Sequence, residues 1–330
     1  MTTLSNTQGF TPEFDLIARH FTRPAANAVL GVGDDCALVD VTNGMDLAVS
    51  TDTMVSGTHF FPDVDPENLG HKALAVNLSD MAAMGAMPYW AMLALTVPNV
   101  DHAWLAAFAK GFFDLAQEYN VSLIGGDTTR GPLTLTVTIM GEVPAGAALR
   151  RSGAKAGNDV WVSGNVGDAA LAVAHRHGRV VLEEGDYREA VMRLYEPTPR
   201  VALGQALRGL ATAAIDISDG LLADLTHICR LSGLGATVEL PLVPVSSIGA
   251  KHLSTPEGRT AIVSGGDDYE LCFTAHPNSR ESIEELADVL GHPLTRIGQV
   301  KRGKGVSLLG PDGKAVKIDG RGYDHFSAPA

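Results

Sequence analysis

Cysteine is scarce in this chain: Cys36, Cys229 and Cys272 are the only three among 330 residues. An odd count without metal-site spacing argues against a disulfide scaffold or a cysteine-built zinc site, and it suits a reducing, cytoplasmic setting. Basic residues are also short, 25 Lys and Arg against 38 Asp and Glu, for a formal net charge of −13. Nucleic-acid binding leaves a basic footprint, so no nucleic-acid partner is expected. No run approaches the ~20 apolar residues that span a bilayer, and residues 1–9 lack the basic-then-apolar pattern of a secretory signal. A membrane partner is therefore not expected either. Several familiar phosphate and metal signatures are missing as well. There is no Gly-x4-Gly-Lys-Ser/Thr loop, and Cys36 stands where Gly31-x-Gly33 would need its third glycine for a dinucleotide fingerprint. No Glu-flanked His pair marks a zinc hydrolase. His175 and His177 lie two apart on a predicted helix, on different faces, and read as solvated surface.

What the chain does have is aspartate on small-residue turns. Gly31-Val-Gly-Asp-Asp35 is followed by Cys36-Ala-Leu-Val39, with no Lys or Arg in the ten residues after the acids. Alone, Gly-Asp-Asp marks an ordinary surface turn. Recurrence changes that reading. Ser50-Thr51-Asp52, Leu78-Ser79-Asp80, Gly125-Gly126-Asp127, Ile217-Ser218-Asp219 and Gly265-Gly266-Asp267-Asp268 repeat one grammar, an apolar run and then a small residue before Asp. Adjacent carboxylates repel unless a cation lies between them. Oxygen ligands on small-residue loops suit Mg²⁺, which shares its coordination with water and substrate phosphates. The candidate ligands are Asp34 or Asp35, Ser50, Thr51, Asp52, Asp80, Asp127, Asp216, Asp219 and Asp267 or Asp268, with Arg130 and Arg151 as possible phosphate donors. Cys36 has no His or Lys beside it to lower its pKa, and reads as a small buried packing residue.

Length favours about two domains. Thr11-Pro12-Glu13 predicts a capped helix to about Phe21, and Leu47–Thr51 a short buried strand ending at Asp52. Asp65-Pro66-Glu67 opens a helix to Met84, closed by Gly85. On it Leu69, Ala73, Val76, Asp80 and Ala83 share one stripe, so Asp80 points inward, as either a functional group or a buried acid bonded to backbone. A strand follows at Tyr89–Val97, an Asp101-capped helix to Tyr119, a strand at Val121–Ile124 that delivers Gly125-Gly126-Asp127, and an alternating strand at Leu133–Ile139. Residues 144–157, rich in Gly and Ala, form the expected boundary between a domain at 1–148 and another at 149–330. The second half reads as a strand at Asp159–Ser163, a helix from Asp168, a strand at Ala213–Ile217, a helix from Gly220 to Leu231, a strand at Leu271–Thr274, a helix at Ser279–Leu290 and short closing strands. Strands and helices mix in both halves, and each Ser-Asp precedes its Gly-Gly-Asp at nearly equal spacing, a faint sign of duplication.

In order along the chain, Gly31-Val-Gly-Asp-Asp-Cys-Ala-Leu, Ser50-Thr-Asp-Thr, His59-Phe, Asn77-Leu-Ser-Asp-Met-Ala-Ala-Met-Gly, Ile124-Gly-Gly-Asp-Thr-Thr, Arg151-Ser-Gly-Ala, Asp216-Ile-Ser-Asp-Gly-Leu, Gly265-Gly-Asp-Asp-Tyr-Glu-Leu and Gly322-Tyr-Asp-His-Phe resemble the thiamine-monophosphate kinase family, a branch of the aminoimidazole ribonucleotide synthetase-like superfamily. The resemblance implies a two-domain α+β fold, an N-terminal domain that forms a homodimer, a C-terminal α/β domain and a nucleotide site between domains. It assigns several Mg²⁺ ions to Asp35, Ser50, Thr51, Asp52, Asp80, Asp127, Asp216 and Asp219, ATP to Gly126, Asp127, Arg151 and Ser218, and thiamine monophosphate to His59, Asp267 and Tyr323. Asp267 stands where the family usually has Glu; Asp268 or a water is the expected compensation for the shorter reach. Without the resemblance, His59 and Tyr323 read as ordinary core or surface residues.

The implied reaction moves the γ-phosphoryl group of ATP in line onto thiamine monophosphate, giving thiamine diphosphate. No residue is expected to act as base or covalent nucleophile. Rival readings are another ATP-dependent phosphotransferase or synthetase of the superfamily and a non-catalytic nucleotide sensor. A selenophosphate-type enzyme would need a reactive Cys nearer its N-terminus, and a hydrogenase-maturation relative would end in Cys rather than Ser327-Ala-Pro-Ala330.

Overall fold

The computed structural model describes residues 12–318 together with 322, 323 and 326. The predicted Thr11 cap lies outside the described residues, as do Asp324 and His325 of the C-terminal motif. The chain divides into two compact units. One comprises Met1–Asn43, Val49–Asn77 and Pro88–Glu142; the other comprises Gly44–Ala48, Leu78–Met87 and Val143–Ala330.

The first helical segment, α1 (Pro12–Leu16), runs on into a single π-helical turn, Ile17–Phe21. Strands β1 (Met45–Val55), β2 (Met87–Val97), β3 (Ser122–Arg130) and β4 (Thr134–Pro144) form a four-stranded sheet in the order β1-β4-β2-β3. All four are longer than the sequence predicts, β1 and β3 most of all. β1 continues past Asp52 because Thr51 and Thr53 pair with Thr138 and Thr136 of β4, each at 2.9 Å between hydroxyls. β3 continues through Gly125-Gly126-Asp127 because it pairs in parallel with β2 as far as Val97–Arg130, after a register shift at Ala91/Met92.

Helix α2 (Pro66–Ala83) ends as predicted: the Ala86 N–H reaches Met81 O at 2.9 Å around Gly85, whose φ is 66°. Its surroundings correct the single-stripe expectation. From Leu69 to Ala83 it is buried nearly all round, including Lys72, Asn77 and Ser79, whereas Asp80 is only partly buried. Helix α3 (His102–Glu118) begins where Asp101 accepts from the N–H groups of Ala103 at 2.9 Å and Trp104 at 3.1 Å.

The second unit is built on a six-stranded sheet, β10-β7-β9-β5-β8-β6, with strands β5 (Asp159–Ser163), β6 (Ala211–Asp216), β7 (Gly235–Glu239), β8 (Leu271–Ala275), β9 (Leu294–Lys301) and β10 (Gly305–Leu309). Its pairs are antiparallel except β10–β7, which is parallel. Helices α4 (Asp168–Arg176), α7 (Leu221–Ser232) and α10 (Arg280–Leu290) occupy their predicted places. Sequence reading left out α5 (Glu184–Tyr195), α6 (Val201–Ala206) and α8 (Ser247–His252). The apolar run 261–264 closes helix α9 (Pro256–Ser264). One apolar core, including Val160, Val162, Leu171, Ile215, Leu225 and Ile262, joins this sheet to its helices. His175 is a structural residue and not solvated surface: its Nδ1 accepts from the Leu182 N–H at 3.0 Å and its ring lies 4.6 Å from that of Tyr187. No helix among the described residues is long and apolar enough to cross a membrane.

Candidate active site

In the second unit the candidate residues gather at the C-terminal end of β6. That strand lies at the sheet edge beside the Arg150–Gly153 segment, through a 3.0 Å bond from the Ala214 N–H to Arg150 O. Buried Asp216 ends the strand, and its Oδ2 accepts from the Ser79 hydroxyl at 2.8 Å. Ser79 immediately precedes Asp80, in the stretch of α2 that belongs to this same unit. Beyond Asp216 the turn Ser218-Asp219-Gly220 leads into α7. Asp224, on the first turn of that helix, takes the N–H groups of Ser218, Asp219 and Gly220 onto one oxygen at 3.0 to 3.1 Å.

The other second-unit candidates hang on this turn by main-chain bonds. The Asp267 N–H reaches Ser218 O at 3.0 Å, the Tyr269 N–H reaches Ile217 O at 2.9 Å, and the Tyr323 N–H reaches Asp219 O at 3.2 Å. A Cβ on Gly266 would sit 2.0 Å from Ser218 O, so only glycine allows the two loops to meet. Asp267 and Tyr269 both adopt left-handed backbone, with φ of 70° and 51°, conformations that cost non-glycine residues energy and cluster at functional sites. Asp268, between them, is turned away from any compensating role: its Oδ1 accepts from the Gly167 N–H at 2.8 Å, and its Oδ2 is buried without a hydrogen-bond partner. The Tyr269 hydroxyl instead stands 3.4 Å from Asp267 Oδ1. Sequence reading missed both this tyrosine and Asp224; only contacts across the loop single them out.

The first unit places its candidates differently. Asp35 sits exposed on a loop closed by the Leu30–Leu38 bridge, and its N–H bonds to Asp34 Oδ1 at 2.9 Å. Cys36 beside it is exposed, correcting the buried reading; three polar or glycine neighbours leave that loop little to pack on. Ser50, Thr51 and Asp52 lie on β1 and Gly126 and Asp127 on β3, at opposite edges of the sheet, roughly 14 Å apart by three strand spacings. Gly126 has φ of 148°, and a Cβ there would meet Leu93 O at 1.8 Å, so the second glycine serves the β2–β3 approach directly. His59 folds back on its own turn, Nδ1 accepting from the Val55 N–H at 2.9 Å. The Arg130 Nε is turned to Pro98 O at 3.2 Å.

Among the described residues, no three His, Cys, Asp or Glu side chains stand together as a ready-made metal cage. The donor set is nevertheless all hard oxygen, carboxylate and hydroxyl, and it fits an ion that keeps waters and takes phosphate oxygens to complete its shell. Burial, with the nearby Asp219 charge, pushes the Asp224 carboxyl up to about 7. Burial likewise pushes Asp268 well above the usual carboxylate range. His227 on α7 is lowered by burial and by the Arg230 and Arg151 cations, with Asp219 acting in the opposite direction. Arg151 and Asp219 therefore share one electrostatic neighbourhood. Glu270 behind the loop goes the other way. Burial alone would raise it, but Arg200, His292 and the Ser163 hydroxyl bond to its oxygens and hold it below the ordinary value.

Comparison with known proteins identifies the family. The family model of AIR synthase related protein, N-terminal domain, matches residues 33–143, and that of its C-terminal domain matches 155–310. A thiamine-monophosphate kinase of Salmonella typhimurium is 48% identical over 322 residues, 96% of this chain and 99% of that protein. The crystal structure of thiamine-monophosphate kinase from Stenotrophomonas maltophilia K279a is 46% identical with a TM-score of 0.82, covering 92% of this chain and 96% of that one. AaThiL complexed with AMPPCP and TMP is 29% identical with a TM-score of 0.75, covering 89% and 92%. With its two-domain α+β architecture, the chain belongs to the thiamine-monophosphate kinase family.

Proposed function

We propose that this chain phosphorylates thiamine monophosphate to thiamine diphosphate with ATP, by direct in-line transfer of the γ-phosphoryl group. The observation that carries this reading is the end of β6 and the turn after it, where Asp216 closes the strand, Ser218 and Asp219 form the turn, and Asp267 and Tyr323 are bonded to it. Relatives of this name cover nearly the whole chain, and AaThiL is complexed with AMPPCP and TMP.

Both reactants are anions, and their mutual repulsion is the central difficulty. Two unit charges ~4 Å apart repel by about 4 kcal/mol at an effective dielectric of ~20, and doubly charged groups by about 16 kcal/mol. Several Mg²⁺ ions, held by Asp35, Ser50, Thr51, Asp52, Asp80, Asp127, Asp216 and Asp219, supply the neutralising charge when bound. Gly126, Asp127, Arg151 and Ser218 hold ATP. His59, Asp267 and Tyr323 hold thiamine monophosphate, with the Tyr323 ring offered to the pyrimidine. An acceptor phosphate with a second pKa of about 6 is already deprotonated at neutral pH, so the chain's own residues bind, orient and screen.

The same proposal covers a domain at 1–148 and another at 149–330, a cytoplasmic location in keeping with three free cysteines, and a homodimer formed through the N-terminal domain. Edge strand β1, which exposes Met45, Leu47 and Val49, supports the dimer.

Incubation with ATP, Mg²⁺ and thiamine monophosphate tests the activity. Thiamine diphosphate forming in step with ADP is the expected result; nucleotide binding without turnover would establish the sensor reading in its place.

A further inference from the structure

We propose that Asp224 is the positioning residue of this site: its carboxylate holds the Ser218–Gly220 turn in the arrangement that presents Ser218 and Asp219 to ligand. The inference rests on the functional reading above and goes beyond it by naming a residue that never touches substrate.

Three consecutive N–H groups, those of Ser218, Asp219 and Gly220, converge on Asp224 Oδ2 at 3.1, 3.1 and 3.0 Å. Consecutive N–H groups converge on one point when the backbone curls into a concave nest, which favours an acceptor oxygen at its centre. Asp224 provides it from within: only 2% of the residue is exposed, and its own N–H bonds back to Gly220 O at 2.9 Å. The opposite side of the same stretch carries the carbonyls of Ile217, Ser218 and Asp219, which accept from Tyr269, Asp267 and Tyr323. One buried carboxylate therefore sets the turn on which both the phosphate-facing and the thiamine-facing residues depend. Without it, three N–H groups in a water-poor place lose their acceptor, and the turn must rotate to find others, taking Ser218 and Asp219 with it.

The test compares Asp224→Asn, which keeps one neutral acceptor oxygen, with Asp224→Ala, which keeps none. Buried Asp159, which is ion-paired to Arg280 at 2.6 Å in the sheet, gives a control in Asp159→Asn. Calorimetric titration with Mg-ATP, without acceptor, is expected to show Kd weakened about 10-fold in Asp224→Asn and about 100-fold in Asp224→Ala, with the KM for thiamine monophosphate rising in parallel. Asp159→Asn is expected to lower Tm without moving either constant. A folded Asp224→Asn with wild-type Kd and KM would overturn the proposal. If neither Asp224 variant folds, amide hydrogen exchange on the wild-type chain decides. The amides of 218, 219 and 220 should exchange together, at least ~100-fold more slowly than unprotected peptide, and unprotected rates would overturn the clamp. Should the wild-type chain bind no Mg-ATP, the functional reading fails instead, while the exchange measurement still judges Asp224.

Discussion

Glu270 shows how a residue outside the reaction can be read through its titration. It is 6% exposed and bonded to Arg200 through both carboxylate oxygens, with Nε to Oε2 at 2.8 Å. Its pKa is lower folded than unfolded, so its contribution is complete above its ordinary value of 4.5 and disappears as pH falls through the folded value. Urea unfolding between pH 6 and pH 3 should therefore show a steeper loss of stability for the wild type than for Glu270→Gln. At pH 7 the variant should be less stable by about 1–3 kcal/mol, since the Arg200 charge keeps its burial but loses its anionic partner. Equal slopes would remove Glu270 from the acid limb. Asp267 offers a kinetic counterpart. It stands on the loop bonded to Ser218 and its carboxylate meets the Tyr269 hydroxyl, so Asp267→Ala should raise the KM for thiamine monophosphate about 10-fold and leave that for ATP within two-fold. An effect confined to ATP would refute the assignment.

Among the elements, α2 bears the most. Its N-terminal end is packed against α3 so closely that a Cβ on Gly111 would lie 1.8 Å from Glu67 O, and one on Gly70 would lie 2.0 Å from Phe108 O. Gly111→Ala must push the helices apart, and about 2–4 kcal/mol of stability should be lost, read as a fall in Tm. Farther along the same helix, Asp80 is the partly buried neighbour of Ser79, which grips Asp216. Asp80→Asn changes charge without volume. We expect turnover to vanish at limiting Mg²⁺ with Tm within a few degrees of wild type; full activity there would take Asp80 out of the site. Helical periodicity made Asp80 legible as a polar residue on an apolar helix. It did not reveal that Lys72, Asn77 and Ser79 are buried more deeply, because burial on every side erases the stripe on which such reading depends.

At the scale of the whole molecule, a net charge of −13 keeps copies of the chain apart except where an apolar surface outweighs it. Edge strand β1 offers such a surface, with Val49 56% exposed between Leu47 and Thr51. Val49→Lys places a cation in each copy of the proposed contact. Sedimentation should show a dimeric wild type and a largely monomeric variant, and a variant that stays dimeric would move the contact elsewhere.

Local chemistry was readable without coordinates. The Asp101 cap, the Gly85 stop and the α+β alternation depend on neighbours a few residues away, and the ordered motifs from Gly31 to Phe326 were enough to indicate the family. Only the tertiary structure decided that β1 and β3 occupy opposite sheet edges, that Asp268 turns inward to Gly167 while Asp267 stays at the turn, and that Asp224 closes a nest around its own loop. Those outcomes depend on which distant strand or amide satisfies each buried polar group. The spacing of residues along a chain does not encode that pairing until the chain has folded.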